Sequence, residues 1–191
     1  MTTRRRLLVG AAGWAATSLA TPGLGAARDG QPRTYRAPVP GSAVDAAGAA
    51  ITITAPMPRV LAVLEGYRRY AEVFKRIDTS RVLARGEDGS RVYLRAPIMR
   101  GMYGIWLVAR FAPARRWRRH GLVIRAERLR GNVEHFAGSW KLAPCGPKRT
   151  VLRGELWLEV PFPIPSSLIT PELMRSCARA VTKVKRLSEC G

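Results

Sequence analysis

The chain has 191 residues, 33 of them Lys or Arg against 13 Asp or Glu, for a formal net charge of +20 at pH 7. That length suits a single domain with a real hydrophobic core, and the charge favours anionic partners. Its three cysteines, Cys145, Cys177 and Cys190, fall in no Cys-x-x-Cys or Cys/His grouping, so zinc-site and thioredoxin-like chemistry have no support.

The N-terminus reads Met1-Thr2-Thr3-Arg4-Arg5-Arg6 and continues as an uncharged apolar stretch from Leu7 to about Ala20. A basic start followed by a short apolar run is the pattern of an export signal. The run is too short and too rich in Ala and Gly for a membrane span, which needs roughly 20 apolar residues. Pro22-Gly23 ends it, and Gly25-Ala26-Ala27 offers the small residues of a processing site. Residues 1–27 are therefore expected to be removed, with cleavage after Ala26 as the next choice. Thr3-Arg4-Arg5-Arg6-Leu7-Leu8 resembles a twin-arginine address. The bland alternative, an uncleaved N-terminal helix, is disfavoured because no amphipathic pattern runs through the segment. Cleavage leaves 164 residues carrying a net charge of +17. The expected location is the periplasm or the exterior. Export argues against nicotinamide- and ATP-dependent chemistry, makes nucleic acid the least fitting anion, and points the charge at anionic membrane surfaces. In an oxidising compartment one disulfide among the three cysteines is chemically open, and the sequence does not choose the pair.

Residues 28–46 are rich in Pro, Gly, Arg and Ala without periodicity and read as a flexible linker; residues 47–191 form the domain. Ala49–Ala55 alternates and is β-prone. Pro56 and Pro58 end that strand and suit the first turn of a helix carrying Val60, Leu61, Val63 and Leu64. Gly66 breaks the helix, and residues 67–74 form a second short one. Strands over 80–87 and 90–98 flank Asp88-Gly89, a strong hairpin turn. Further strands cover 103–112, 120–129, 134–142 and 150–160, giving seven in all. Pro161 to Ser167 is too proline-rich for helix or central strand. A long helix then starts at Thr170-Pro171-Glu172, with Thr170 as N-cap. Its apolar stripe is Leu173, Cys177, Ala180, Val181, Val184 and Leu187.

This order is an α+β arrangement. One amphipathic helix is buried best when a curved antiparallel sheet wraps around it, and a cavity between the two is then the default binding site. Alternation assigns Leu94, Ala96 and Ile98, then Phe136 and Trp140, then Leu156, to faces turned toward that helix. Met102, Tyr103 and Met174 complete the candidate pocket as rim or gate residues, with Met99 as a further candidate. Trp106 and Trp157 fall on the opposite, polar faces, which alternation alone does not explain.

Three segments carry a family resemblance. They are Ile51-Thr52-Ile53-Thr54-Ala55-Pro56 with the Tyr67–Phe74 helix, Phe136-Ala137-Gly138-Ser139-Trp140-Lys141-Leu142-Ala143-Pro144, and Pro163-Ile164-Pro165-Ser166-Ser167-Leu168. In order and spacing, roughly residues 46–187 resemble the START/polyketide-cyclase (SRPBCC) superfamily, nearest its coenzyme Q-binding branch. The resemblance implies the helix-grip fold, a pocket for a hydrophobic small molecule, and no cofactor. The superfamily includes cyclases, hydrolases and carriers, so fold alone does not choose among them.

The sequence has no His-Glu-x-x-His, no Gly-x-Ser-x-Gly and no phosphate-binding Gly-rich loop. Of the two histidines, His135 has a neighbour, Glu134, that points to the other face of a strand; it reads as a surface or rim residue before it reads as a base. His120 follows a basic loop and reads as solvated. That loop, Arg115-Arg116-Trp117-Arg118-Arg119, is the sharpest local signal. Guanidinium groups around an indole suit an anionic headgroup layer; the alternative is a solvated hairpin tip whose Trp packs on its own strand. The reading is a monomeric, exported binder of a lipid or quinone-like molecule at the envelope membrane surface. A cyclase/dehydratase-type enzyme, with His135 or Tyr93 as first candidates, and a basic envelope-interaction module without a small ligand are the alternatives.

Overall fold

A computed structural model describes residues 30–98, 103–161 and 166–190. The export segment and the candidates Met99 and Met102 lie outside the described residues, as does the side chain of Ile98.

Among the described residues, nine strands form one antiparallel sheet. They are β1 (Arg33–Ala37), β2 (Ala46–Ile53), β3 (Thr79–Gly86), β4 (Gly89–Ile98), β5 (Tyr103–Phe111), β6 (Arg115–Trp117), β7 (Gly121–Gly131), β8 (His135–Pro144) and β9 (Thr150–Glu159). Their order is β1-β2-β9-β8-β7-β5-β4-β3, with β6 pairing β7 beyond the end of β5. Helices α1 (Met57–Glu65) and α2 (Tyr70–Val73), joined by a 3-10 turn, follow β2, and α3 (Ser166–Glu189) ends the chain. This is the expected α+β design, a curved antiparallel sheet around a long C-terminal helix.

Local chemistry accounts for the seating of α3. Strand β2 reads Ala-Ala-Gly-Ala-Ala-Ile-Thr-Ile and is buried throughout, because side chains this small let the helix approach the strand backbone. The Cys177 thiol reaches the Ala47 carbonyl oxygen at 3.5 Å. The stripe of Leu173, Cys177, Ala180, Val181 and Val184 is buried as the spacing requires. At the Asp88-Gly89 turn, Gly89 has φ 121°, and a Cβ there would come within 2.0 Å of the Phe111 carbonyl oxygen. Only glycine closes that hairpin.

The structure departs from the sequence reading in three places. The segment read as linker contributes β1, which pairs with β2 from Arg33↔Ala50 to Ala37↔Ala46. The aromatic of β1 is anchored: Tyr35 lies over Gly48, where a Cβ would be 2.3 Å from its ring, and donates a hydrogen bond to Glu155 at 2.9 Å. One anchored aromatic in five residues is too little alternation to read as a strand. Second, Arg115–Trp117 is itself a short strand, so seven long strands become nine with the two short ones. Third, α3 begins at Ser166, before Thr170, and holds Pro171 inside. Proline removes one backbone donor, and the turn before it, Ser167 and Leu168, is exposed. Trp106 and Trp157, by contrast, lie on the outer face that alternation gives them. The register shift near Val108 places its extra residue in β7, and the β8–β9 register is unbroken. Both indoles stay on the outer face, where Trp106 stacks on Tyr93 at 6.2 Å and Trp157 on His135 at 5.2 Å.

Among the described residues, no helix is long and apolar enough to cross a membrane.

Candidate functional site

Between the inner face of the sheet and α3 lies a cavity of about 360 Å³. Ligand sites generally range over roughly 300–1,000 Å³, so this one suits a single apolar chain or compact ring system.

Alternation builds its walls. Leu94 and Ala96 point in from β4, Ile105, Leu107 and Phe111 from β5, and Ile124 and Ala126 from β7. Phe136, Gly138 and Trp140 face in from β8, with Gly154, Leu156 and Leu158 from β9. Opposite them, α3 offers Ile169, Leu173, Cys177 and Ala180. Tyr70 and Phe74, from α2 and its end, complete an aromatic side. Tyr70 lies edge-on to Phe111 at 5.5 Å, and Phe74 is 6.0 Å from Trp140.

Tyr70, Trp140, Ser139, Glu155 and Cys177 have their polar atoms engaged. The fully buried Tyr70 hydroxyl donates to the Leu64 carbonyl at 2.9 Å and accepts from Trp140 Nε1 at 3.1 Å. Burial holds its pKa well above the usual phenol value. Burial, and then the nearby Glu155 charge, push the Cys177 thiol up to about 12, so it stays protonated at neutral pH. The Glu155 carboxylate accepts bonds from Tyr35 (2.9 Å), Ser139 (3.0 Å) and Lys141 (2.6 Å). Burial raises its pKa, but these bonds and the Lys141 charge outweigh that and hold it below the usual carboxylate range.

The opening is charged. Arg76, Glu172 and Arg179 line the cavity and are partly exposed, as is Leu168. Glu172 meets Arg76 Nε at 2.8 Å, Arg179 at 2.9 Å and Arg175 at 2.7 Å. Burial pulls its pKa up, yet these arginines together hold its carboxyl below the usual range.

Of the pocket candidates, the structure brings Leu94, Ala96, Phe136, Trp140 and Leu156 together around the cavity. Tyr103 has the inward parity of β5 but sits half-exposed at its first position, off the cavity. Met174 is also off it. One residue past Leu173 on the helix, it turns toward β1, where its sulfur accepts from Arg36 Nε at 3.3 Å. The β5 and β7 residues were missed although β5 alternates as Ile105, Leu107, Ala109 and Phe111. The Arg76–Glu172–Arg179 rim carries no sequence signal, because its members meet only after folding.

His135 and Tyr93, the candidate catalytic groups, lie on the outer face. His135 stacks on Trp157 and faces Glu159 at 3.7 Å. No group of three His, Cys, Asp or Glu suited to a metal ion occurs among the described residues. In the basic hairpin, Arg118 takes φ 56°. The Trp117 indole sits between the Arg118 guanidinium at 4.9 Å and the Lys141 ammonium at 5.8 Å. The hairpin opens β7, beside the C-terminal ends of β8 and α3. The cavity opens at the other end, where β9 leads into α3.

Residues 53–183 match the family model described as polyketide cyclase/dehydrase and lipid transport. Solved structures share the fold. A STAR-related lipid transfer protein from Xanthomonas axonopodis superposes with a TM-score of 0.72 at 16% identity, covering 86% of this chain and 97% of that one. Human StAR-related lipid transfer protein 5 gives 0.71 at 12%, covering 89% and 88%. The Zhui aromatase/cyclase from Streptomyces sp. R1128 gives 0.54 at 18%, covering 83% and 94%. No curated protein matches by sequence.

Proposed function

The chain belongs to the polyketide cyclase/dehydrase and lipid transport family, and from that premise we propose that it is an exported carrier of a hydrophobic small molecule, lipid or quinone-like, held between sheet and α3. The observation that carries this reading is the cavity itself: apolar side chains from five strands and two helices surround about 360 Å³. Burying an apolar ligand there gains about 0.8 kcal/mol per methylene. The lipid-transfer proteins of like fold support the reading. The aromatase/cyclase keeps an enzyme in view, but Tyr93 and His135 cannot serve one from the outer face.

The proposed setting is the periplasm or exterior, reached through the twin-arginine-like segment. The proposed surface partner is an anionic membrane, met by Arg115, Arg116, Arg118 and Arg119 around Trp117. Each basic residue near such a surface contributes about 1 kcal/mol. With the hairpin remote from the opening, docking leaves the cavity free to exchange its ligand.

Mass spectrometry of organic extracts from protein purified out of its own periplasm tests the carrier reading. A stoichiometric apolar molecule is expected; its repeated absence would contradict the proposal.

A further inference from the structure

The cavity gives an apolar body a place, and Ser176, a polar side chain of its lining, stands one helical turn from Glu172 on α3, toward the opening. Tyr70's hydroxyl is committed to Leu64 and Trp140, and Glu155 is bonded to three outer-face partners. An unpaired polar head inside would cost several kcal/mol, so a head must sit at the opening. There the charge is unbalanced. Arg76, Arg175 and Arg179 converge on the single carboxylate of Glu172, and Lys75 also lines the cavity. The three arginines stay 54%, 61% and 43% exposed in their side chains, so guanidinium faces remain open to solvent. Arginine pairs bidentately with carboxylate and phosphate oxygens. Glu172 already shows that an oxyanion is accepted at this place.

Building on the carrier reading, we propose that the ligand is an anionic single-chain amphiphile whose carboxylate or phosphate head is bound by Arg76 and Arg179 at the opening, beside or in place of Glu172, while its apolar body fills the cavity. The cluster therefore sets head-group specificity, and the volume sets the number of chains. Glu172 fills the anion position when no ligand is present and competes with the head when one is.

Binding of dodecanoic acid, dodecyl phosphate, dodecanol and inorganic phosphate to the mature protein at neutral pH tests this. The acid and the phosphate ester are expected to bind about tenfold tighter than the alcohol, an advantage that falls with salt. Arg76→Gln with Arg179→Gln should remove that advantage, so that acid and ester bind no tighter than the alcohol; both sites are exposed, so folding is not at risk. Glu172→Gln should strengthen the acid and ester selectively. Equal binding of acid and alcohol by the unaltered protein would overturn the inference and leave the carrier reading standing. Failure of all three chains to bind would overturn both. Inorganic phosphate displacing dodecyl phosphate as effectively as the acid does would show a free-anion site and overturn the amphiphile.

Discussion

Gly138 separates ligand binding from folding. It sits mid-strand in β8 and lines the cavity. A Cβ there meets the Glu155 carbonyl oxygen at 3.6 Å and Ala126 Cβ and Phe136 Cζ at 3.8 Å, all ordinary contacts. A leucine side chain at this position therefore extends into the cavity. Its roughly four carbons displace about as many ligand methylenes, which at about 0.8 kcal/mol each is about 3 kcal/mol, or about a hundredfold in affinity. The fold loses nothing, since replacing a strand glycine regains about 0.5–1 kcal/mol of backbone entropy. Gly138→Leu should thus weaken titration by a fluorescent apolar probe about a hundredfold, while the thermal midpoint stays level or rises. Unchanged affinity in a folded variant would show that apolar ligands bind elsewhere. Gly154 is the contrast, because a Cβ there would fall 2.5 Å from Trp140 Cζ3; Gly154→Ala should disturb the indole and lower stability as well.

Three further outcomes follow from the same contacts. In the folded protein a thiol reagent should label Cys145 and Cys190 and spare Cys177, whose thiol is buried and raised to about 12; denaturant should expose all three, and rapid native labelling of Cys177 would refute its burial. Glu155→Gln should cost about 1–3 kcal/mol in chemical denaturation, since it removes a buried charge from three donors. Because the folded pKa of Glu155 is depressed, its contribution is present above the ordinary carboxyl value of about 4.3 and is lost as pH falls through the lower folded value; the variant should show a smaller acid-side loss than the parent. Replacing Arg115, Arg116, Arg118 and Arg119 by Gln should reduce pelleting with anionic liposomes and leave probe affinity intact, and unchanged pelleting would refute the hairpin contact.

The frame of the fold was legible because it rests on period and punctuation. Alternation in β4, β8 and β9, the Asp88-Gly89 turn and the stripe on α3 each obey short-range rules, and together they placed Leu94, Ala96, Phe136, Trp140 and Leu156 on the inner face. What escaped depends on partners distant in sequence. β1 is a strand because Tyr35 finds Gly48 and, 120 residues away, Glu155. Met174 leaves the cavity because β1 is there to receive it. The rim assembles Arg76 with Glu172 and Arg179 across nearly a hundred residues, and no spacing rule anticipates it. Alternation puts Trp106 and Trp157 on the outer face without a reason, because the reason is a cross-strand partner: Tyr93 and His135 give each indole a stacking surface there.

The central claim is that an apolar molecule occupies the space between sheet and α3, and Trp140 is placed to report it. Trp106, Trp117 and Trp157 lie on the outer face, so a variant starting at Arg28 and keeping only Trp140, with the others changed to Phe, gives a reporter that lines the cavity. Its fluorescence should be quenched saturably, at one molecule per chain, by brominated single-chain amphiphiles, and the quenching should vanish when Gly138→Leu is added. Quenching that never saturates, or that survives the leucine, would contradict the account.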